Sequence, residues 1–127
     1  MNEVISNAFV NFSNHTSRNW TQSQMNSAVQ LSGGTVVDVA FPQVSATATE
    51  EEIKDLANYC FEEIVKYNPK VVMCQGEFGL TFQLVSLLKQ HGIRAVYSCS
   101  ERKVVEQQTE NGTIKTAEFC FVKFRKY

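Results

Sequence analysis

No run in the 127 residues approaches the ~20 consecutive apolar side chains of a membrane-spanning helix, and residues 1–6 carry no basic segment backed by an apolar one. Those absences lead us to expect a cytoplasmic protein with no membrane partner. A basic surplus is missing too. Twelve Lys and Arg stand against thirteen Asp and Glu, for a net charge of −1, so no generally basic surface exists to grip long nucleic acid. Any anion site must be local. The four cysteines, Cys60, Cys74, Cys99 and Cys120, share no C-x-x-C spacing and have no histidine beside them. They are expected to be free thiols of a reducing compartment, and no metal site is expected. No Gly-x-Gly-x-x-Gly and no Walker A sequence is present, which excludes an ordinary dinucleotide site and triphosphate chemistry on a P-loop. No cofactor is expected.

What is present suits a globular protein: 43% hydrophobic and 20% charged residues, at a length that makes residues 1–127 a single domain. Residues 70–81 organise the rest. They begin as an almost unbroken apolar run, Lys70-Val71-Val72-Met73-Cys74, and switch at Gly76 into helical spacing, from Phe78 and Leu80 to Leu87 and Leu88. A strand apolar on successive residues is buried on both faces, as in the middle of a parallel sheet covered by helices. Further strands are read at residues 8–13, 35–41 and 94–98. Helices are read from the capping boxes Thr21-x-x-Gln24 and Thr49-x-x-Glu52, with Gly33-Gly34 and His91-Gly92 as stops. With right-handed crossovers this βαβαβαβ order gives an α/β, Rossmann-like three-layer sandwich whose parallel strands run 2-1-3-4. Residues 104–109, Glu110-Asn111-Gly112-Thr113 and residues 114–124 read as a C-terminal β-hairpin, because Asn-Gly suits the positive φ angles of a type I′ turn. Phe119 and Phe121 should face one way, and Cys120, Val122 and Phe124 the other. That alternation places a sixth, covered strand beside strand 4 and a short fifth strand at the edge.

Strand order reverses between strands 1 and 3, and open α/β folds place ligands at the carboxyl ends of the strands there. One rim should collect Asn11, Ser13, Asn14, His15, Arg18 and Trp20 after strand 1, and Gln43 after strand 2. Gln75, Gly76, Glu77 and Thr81 should join them after strand 3, and Ser98, Ser100, Glu101, Arg102 and Lys103 after strand 4. The last strand is expected to finish at the same rim with Arg125, Lys126 and Tyr127. Five basic side chains beside helix N-termini with free N–H groups suit an anion, most simply a phosphate. A plainer account stands beside this one. Loops at this end of any such sheet are polar, Asn14 and Ser17 suffice as turn formers, Glu77 as a charge on a helix N-terminus, and Trp20 as a core aromatic.

Asn11-Phe12-Ser13-Asn14-His15, with Gln75-Gly76-Glu77 and Ser100-Glu101-Arg102-Lys103, resembles the small single-domain CRISPR-associated Rossmann-fold proteins, some of which are ring nucleases of cyclic oligoadenylate messengers. The resemblance covers the topology of most of the chain, and its motifs are short. It implies a homodimer that holds an anionic, nucleotide-type ring over the carboxyl ends of its strands, and either degrades or sequesters it. Cleavage in such a site needs no metal, because a ribose 2′-hydroxyl attacks its own 3′-phosphate and leaves a 2′,3′-cyclic phosphate. His15 would serve as acid or base, while Arg102 and Lys103 stabilise charge growing on the phosphate. Asn11, Ser13, Asn14, Arg18, Trp20, Gln75, Gly76, Thr81, Ser98, Ser100 and Glu101 would hold the ligand, with Glu77 on its ribose or base. Two other classes stay open: a non-enzymatic binding module for a mononucleotide or other small phosphorylated ligand, and a dimeric interaction protein for which the rim is incidental.

Overall fold

The computed structural model describes residues 7–127; the expectation drawn from residues 1–6 lies outside them. Strands β1 (Ala8–Ser13) and β3 (Pro69–Gln75) form the middle of the sheet because both of their faces are apolar. Ala8, Phe9, Val10, Val71, Val72 and Cys74 are fully enclosed. Strands β2 (Val36–Ala40), β4 (Arg94–Thr109) and β5 (Gly112–Lys126) complete a sheet in the order β2-β1-β3-β4-β5, parallel as far as β4 and antiparallel between β4 and β5. The fold is the expected α/β, Rossmann-like sandwich.

Helix α1 (Gln22–Ser32) covers one face, where Ala28 and Leu31 meet Phe9, Val71, Met73 and Val96. On the other, α2 (Glu50–Val65) and α3 (Phe78–Gln90) bury Ala57, Cys60 and Ile64 and the ridge Leu80, Leu84 and Leu88 against Val10, Phe12, Val72 and Cys74. Local chemistry sets the helix ends. Thr49 accepts from Glu52 N–H while the Glu52 carboxylate accepts from Thr49 N–H, a closed capping box, and three glutamates in the first turn complement the helix dipole. Thr21 caps α1 by accepting from Gln24 N–H.

The C-terminal third departs from expectation. Strand β4 pairs with β3 only at Val71↔Arg94, Val72↔Ala95 and Met73↔Val96, yet it runs on to Thr109. The two strands expected at 94–98 and 104–109 are one, so no separate fifth strand lies at the edge. Strand β5 pairs with β4 along its whole length, from Val96↔Lys126 to Thr109↔Gly112. Residues 100–121 therefore leave the sheet as a two-stranded arm, about 30 Å long at ~3.3 Å per residue. The expected covering of the last strand fails here, since most of the arm is exposed. At the tip, the positive φ falls on Gly112 alone (121°), with Glu110-Asn111 as the two linking residues, so the turn is not type I′. A bulge also resets the side-chain alternation. Cys99 pairs with Lys123 but Ser100 with Phe121, leaving Val122 as the extra residue and putting Phe124 on the same side as Phe121, rings 4.9 Å apart.

Candidate functional site

Between the carboxyl ends of β1 and β3, where the strand order reverses, lies a crevice of about 420 Å³. Ser13, Asn14, His15, Asn19, Trp20, Gln24, Met73, Gln75, Gly76 and Ser98 line it. Its floor is made by the end of β1. Asn11 is 2% exposed, and its amide donates to the His15 carbonyl and to Asp38 Oδ1, both at 2.8 Å. The Ser13 hydroxyl lies 2.7 Å from Asn11 Oδ1 and 3.0 Å from the His15 carbonyl, and it accepts from His15 N–H. Asp38, on β2, also accepts from the N–H and hydroxyl of Ser17. Asn11 and Ser13 thus spend their polar groups on holding residues 13–17 in shape. The consequence is a His15 whose main chain is pinned while its side chain stands exposed at the crevice.

Gln75 ties the second wall together: its Oε1 accepts from the N–H and the hydroxyl of Ser98, joining the end of β3 to β4. Trp20 packs on Phe9 (6.0 Å, 83°) and Phe124 (5.9 Å, 52°), so it is a core aromatic that also walls the crevice. Gly76 comes next to Gln75 because the Phe41 ring occupies the space of a side chain there; a Cβ would lie 2.4 Å from it. Phe41 is itself held against Phe12 (4.8 Å) and cannot swing away freely. Gly76→Ala is therefore expected to cost about 1–3 kcal/mol by overpacking, measured as a lower denaturant midpoint at unchanged slope.

A second, apolar groove of about 640 Å³ begins on the other side of Gln75 and Gly76. Phe78, Thr81, Phe82, Val85, Ser86, Lys89, Tyr97 and Tyr127 line the rest of it. Phe78 is 92% exposed and Phe82 70%, one helical turn apart at the start of α3. The helical spacing that starts at Phe78 thus opens on an exposed ring, and the ridge that packs is Leu80, Leu84 and Leu88. Behind the groove, burial pushes the Cys74 thiol up to about 12, against a smaller opposing pull from the Thr81 hydroxyl. Burial, with Cys74 and Tyr97 adding to it, also pushes the Tyr127 phenol up to about 12, and that phenol donates to the Cys74 carbonyl.

The basic cluster expected at this rim does not form. Arg102 and Lys103 stand on the arm, beyond the crevice, with Ser100 and Glu101. Because β5 is antiparallel to β4, the strand runs away from the rim: Arg125 lies over the Tyr97 ring (5.7 Å), Lys126 pairs opposite Val96, and of the last three residues only Tyr127 reaches the groove beside Gln75 and Gly76. Arg18 is exposed on the 3-10 turn Ser17–Asn19. Nor are the helix N-termini free. The Glu77 carboxylate accepts from the N–H groups of Gly79 and Leu80, taking the place of an external anion at α3, and Thr21 takes that place at α1. Among the described residues, no group of three or more His, Cys, Asp or Glu could hold a metal ion. No helix among them is long and apolar enough to cross a membrane.

Of the expected site residues, Ser13, Asn14, His15, Trp20, Gln75, Gly76 and Ser98 meet in the crevice, Thr81 lies in the groove, and Asn11 and Glu77 are structural supports. Asp38, Asn19, Gln24, Met73 and the exposed ring pair stand outside the set expected from the sequence. Two signals were present: Asp38 is the one charge in the apolar run 35–41, and Phe78 and Phe82 share a helical face four residues apart.

Residues 7–125 match the family model described as the uncharacterized protein MJ1673 family. The chain belongs to that family. No curated protein and no solved structure matches it. In this member of the MJ1673 family, the match runs from β1 almost to the end of β5, so it takes in the crevice, the arm and all of the groove lining but Tyr127.

Proposed function

We propose that the carboxyl edge of the sheet binds a nucleotide-type ligand, a cyclic oligoadenylate, and that His15 acts in its cleavage. One observation carries this: a hydrogen-bonding crevice and an aromatic groove share a single border, Gln75-Gly76, where the strand order reverses. A nucleotide has the same two halves. Its ribose and phosphate match the polar lining of Asn14, His15, Gln75 and Ser98, and its planar base matches the rings of Phe78, Phe82 and Tyr97. The resemblance of Asn11-Phe12-Ser13-Asn14-His15 and Gln75-Gly76-Glu77 to the ring nucleases selects adenylate rings among such ligands.

The crevice has no Lys or Arg in its walls, so phosphate is met there by neutral donors, and binding depends weakly on salt. Cleavage follows from positioning. The His15 imidazole takes the proton of a ribose 2′-hydroxyl, a bond forms from that oxygen to the adjacent phosphorus, and the bond from phosphorus to the 5′-oxygen breaks. The leaving oxygen takes a proton from solvent, and a 2′,3′-cyclic phosphate remains.

The test is a thermal-shift series with cyclic oligoadenylates of several ring sizes, linear oligoadenylate and AMP, followed by chromatography of each mixture. A ring at a hundredfold excess over its dissociation constant should stabilise the fold by about 2.7 kcal/mol and raise the melting temperature by several degrees. The product of a bound ring should be a linear oligoadenylate with a 2′,3′-cyclic phosphate. No shift with any oligoadenylate would overturn the proposal. A bound ring left whole over hours would remove its catalytic half.

A further inference from the structure

An isolated two-stranded ribbon is marginally stable in water, and its unpaired edges invite another chain. The arm is such a ribbon. Its side chains sort by register into two faces, and the one continuous with the α1 side of the sheet is fixed by Phe124, which contacts Phe9 and Trp20 there. Outward from Phe124 the same face carries the pairs Ser100/Phe121, Arg102/Phe119, Val104/Ala117, Glu106/Lys115 and Gln108/Thr113. The Glu106–Lys115 ion pair and the hydrogen bond from Gln108 to Thr113 join residues of this one face. Phe119 is 75% exposed and Val104 58%.

We infer that this face of the arm is the contact surface for a second copy of this chain, with the two arms stacked antiparallel about Val104. Charge decides the occupant. Between residues 100 and 123 four acids (Glu101, Glu106, Glu110, Glu118) balance four bases (Arg102, Lys103, Lys115, Lys123), so the ribbon offers no net field to a polyanion. On this face, Arg102 lies two residues before Val104 and Glu106 two residues after it. A two-fold axis at Val104 therefore sets Arg102 over the partner's Glu106, twice, and Phe119 over the partner's Lys115, where a cation favours an aromatic face. The same register carries each hairpin turn back over the other chain as far as Ser98, at the lip of the crevice. This surface stands whether or not the ligand is an oligoadenylate.

Sedimentation velocity of the full chain from 1 to 100 μM, without ligand, reads the association directly. Wild type should sediment at twice the mass of one chain, and Phe119→Glu should raise the dissociation constant about a hundredfold or more, since each pair loses two buried rings. Arg102→Glu and Glu106→Arg should each weaken the pair about tenfold by setting like charges opposite each other. The double exchange Arg102→Glu/Glu106→Arg should recover at least half of the loss, on a logarithmic scale, because it restores unlike charges across the axis. These two positions are exposed, so the exchange remains readable even if Phe119→Glu fails to fold. A monomeric wild type at 100 μM overturns the proposal. So do single exchanges without effect, and a double exchange no better than the singles.

Discussion

His15→Ala should lower the rate of cyclic oligoadenylate cleavage roughly a hundredfold to ten-thousandfold, the usual worth of a positioned acid or base, while leaving ring affinity almost unchanged. The split follows from where the side chain stands. The main chain of His15 is fixed by Asn11 and Ser13, so the loop should keep its shape when the ring is removed, and the other crevice groups remain to bind. A group whose interaction grows mainly in the transition state changes the rate constant, not the binding constant. Single-turnover cleavage and a separate binding titration measure the two. The wild-type rate should survive EDTA, since the proposed chemistry uses the 2′-hydroxyl as nucleophile and no metal. A ring with its 2′-hydroxyls removed should bind and stay whole. If the variant lost affinity and rate in equal measure, His15 would be a binding group and the general-base role would fall.

The four thiols should react with a disulfide reagent in two classes separated by about a thousandfold or more in rate. With its pKa near 12, about one Cys74 in ten thousand is thiolate at pH 8, whereas an ordinary thiol near pKa 8.5 is about one quarter thiolate. Burial also pushes the Cys60 thiol up, with Glu63 adding to it, and Cys60 and Cys74 are both buried. Cys99 and Cys120 are half-exposed at the base of the arm, on the face away from the proposed contact between chains. Two thiols should thus titrate promptly and two only on unfolding, and Cys99→Ser/Cys120→Ser should abolish the fast phase. Four prompt thiols in the native protein would contradict the packing of α2 and α3 on β3.

The same displacement has a consequence for alkaline stability. Cys74 and Tyr127 keep their protons in the folded chain up to about pH 12 but lose them earlier when unfolded. The unfolded state then binds fewer protons than the folded one, so this contribution to stability is full below about pH 9 and is lost as pH rises toward 12. For Cys74 the slope approaches 1.36 kcal/mol per pH unit at most. Tyr127, at the edge of the groove, contributes less because solvent reaches it.

What was legible in the sequence was local or periodic. The apolar run 71–74 can be satisfied only by burial on both faces, which puts β3 in the middle of the sheet, and Thr49-x-x-Glu52 closes its own hydrogen bonds wherever α2 lies. Those elements, with the handedness of crossovers, lead to the order 2-1-3-4, and the order implies the crevice and several of its residues. Asn11, Glu77 and the basic side chains could not be assigned this way. Whether a polar group faces a ligand or a neighbouring loop depends on partners 27 residues away in sequence for Asn11, and on the direction of a strand for Arg125 and Lys126.

The arm shows the division most plainly. By itself the sequence determined that residues 104–124 form a hairpin, because alternation and a turn-forming Glu-Asn-Gly stretch are short-range properties, although the turn closes one residue earlier than Asn-Gly implied. Only the tertiary structure decided that β3 stops pairing with β4 after Val96, so that residues 100–121 leave the sheet, and that one extra residue at Val122 turns Phe124 onto the side of Phe121. Pairing length and bulges depend on where a neighbouring strand ends. No window of sequence contains its neighbour.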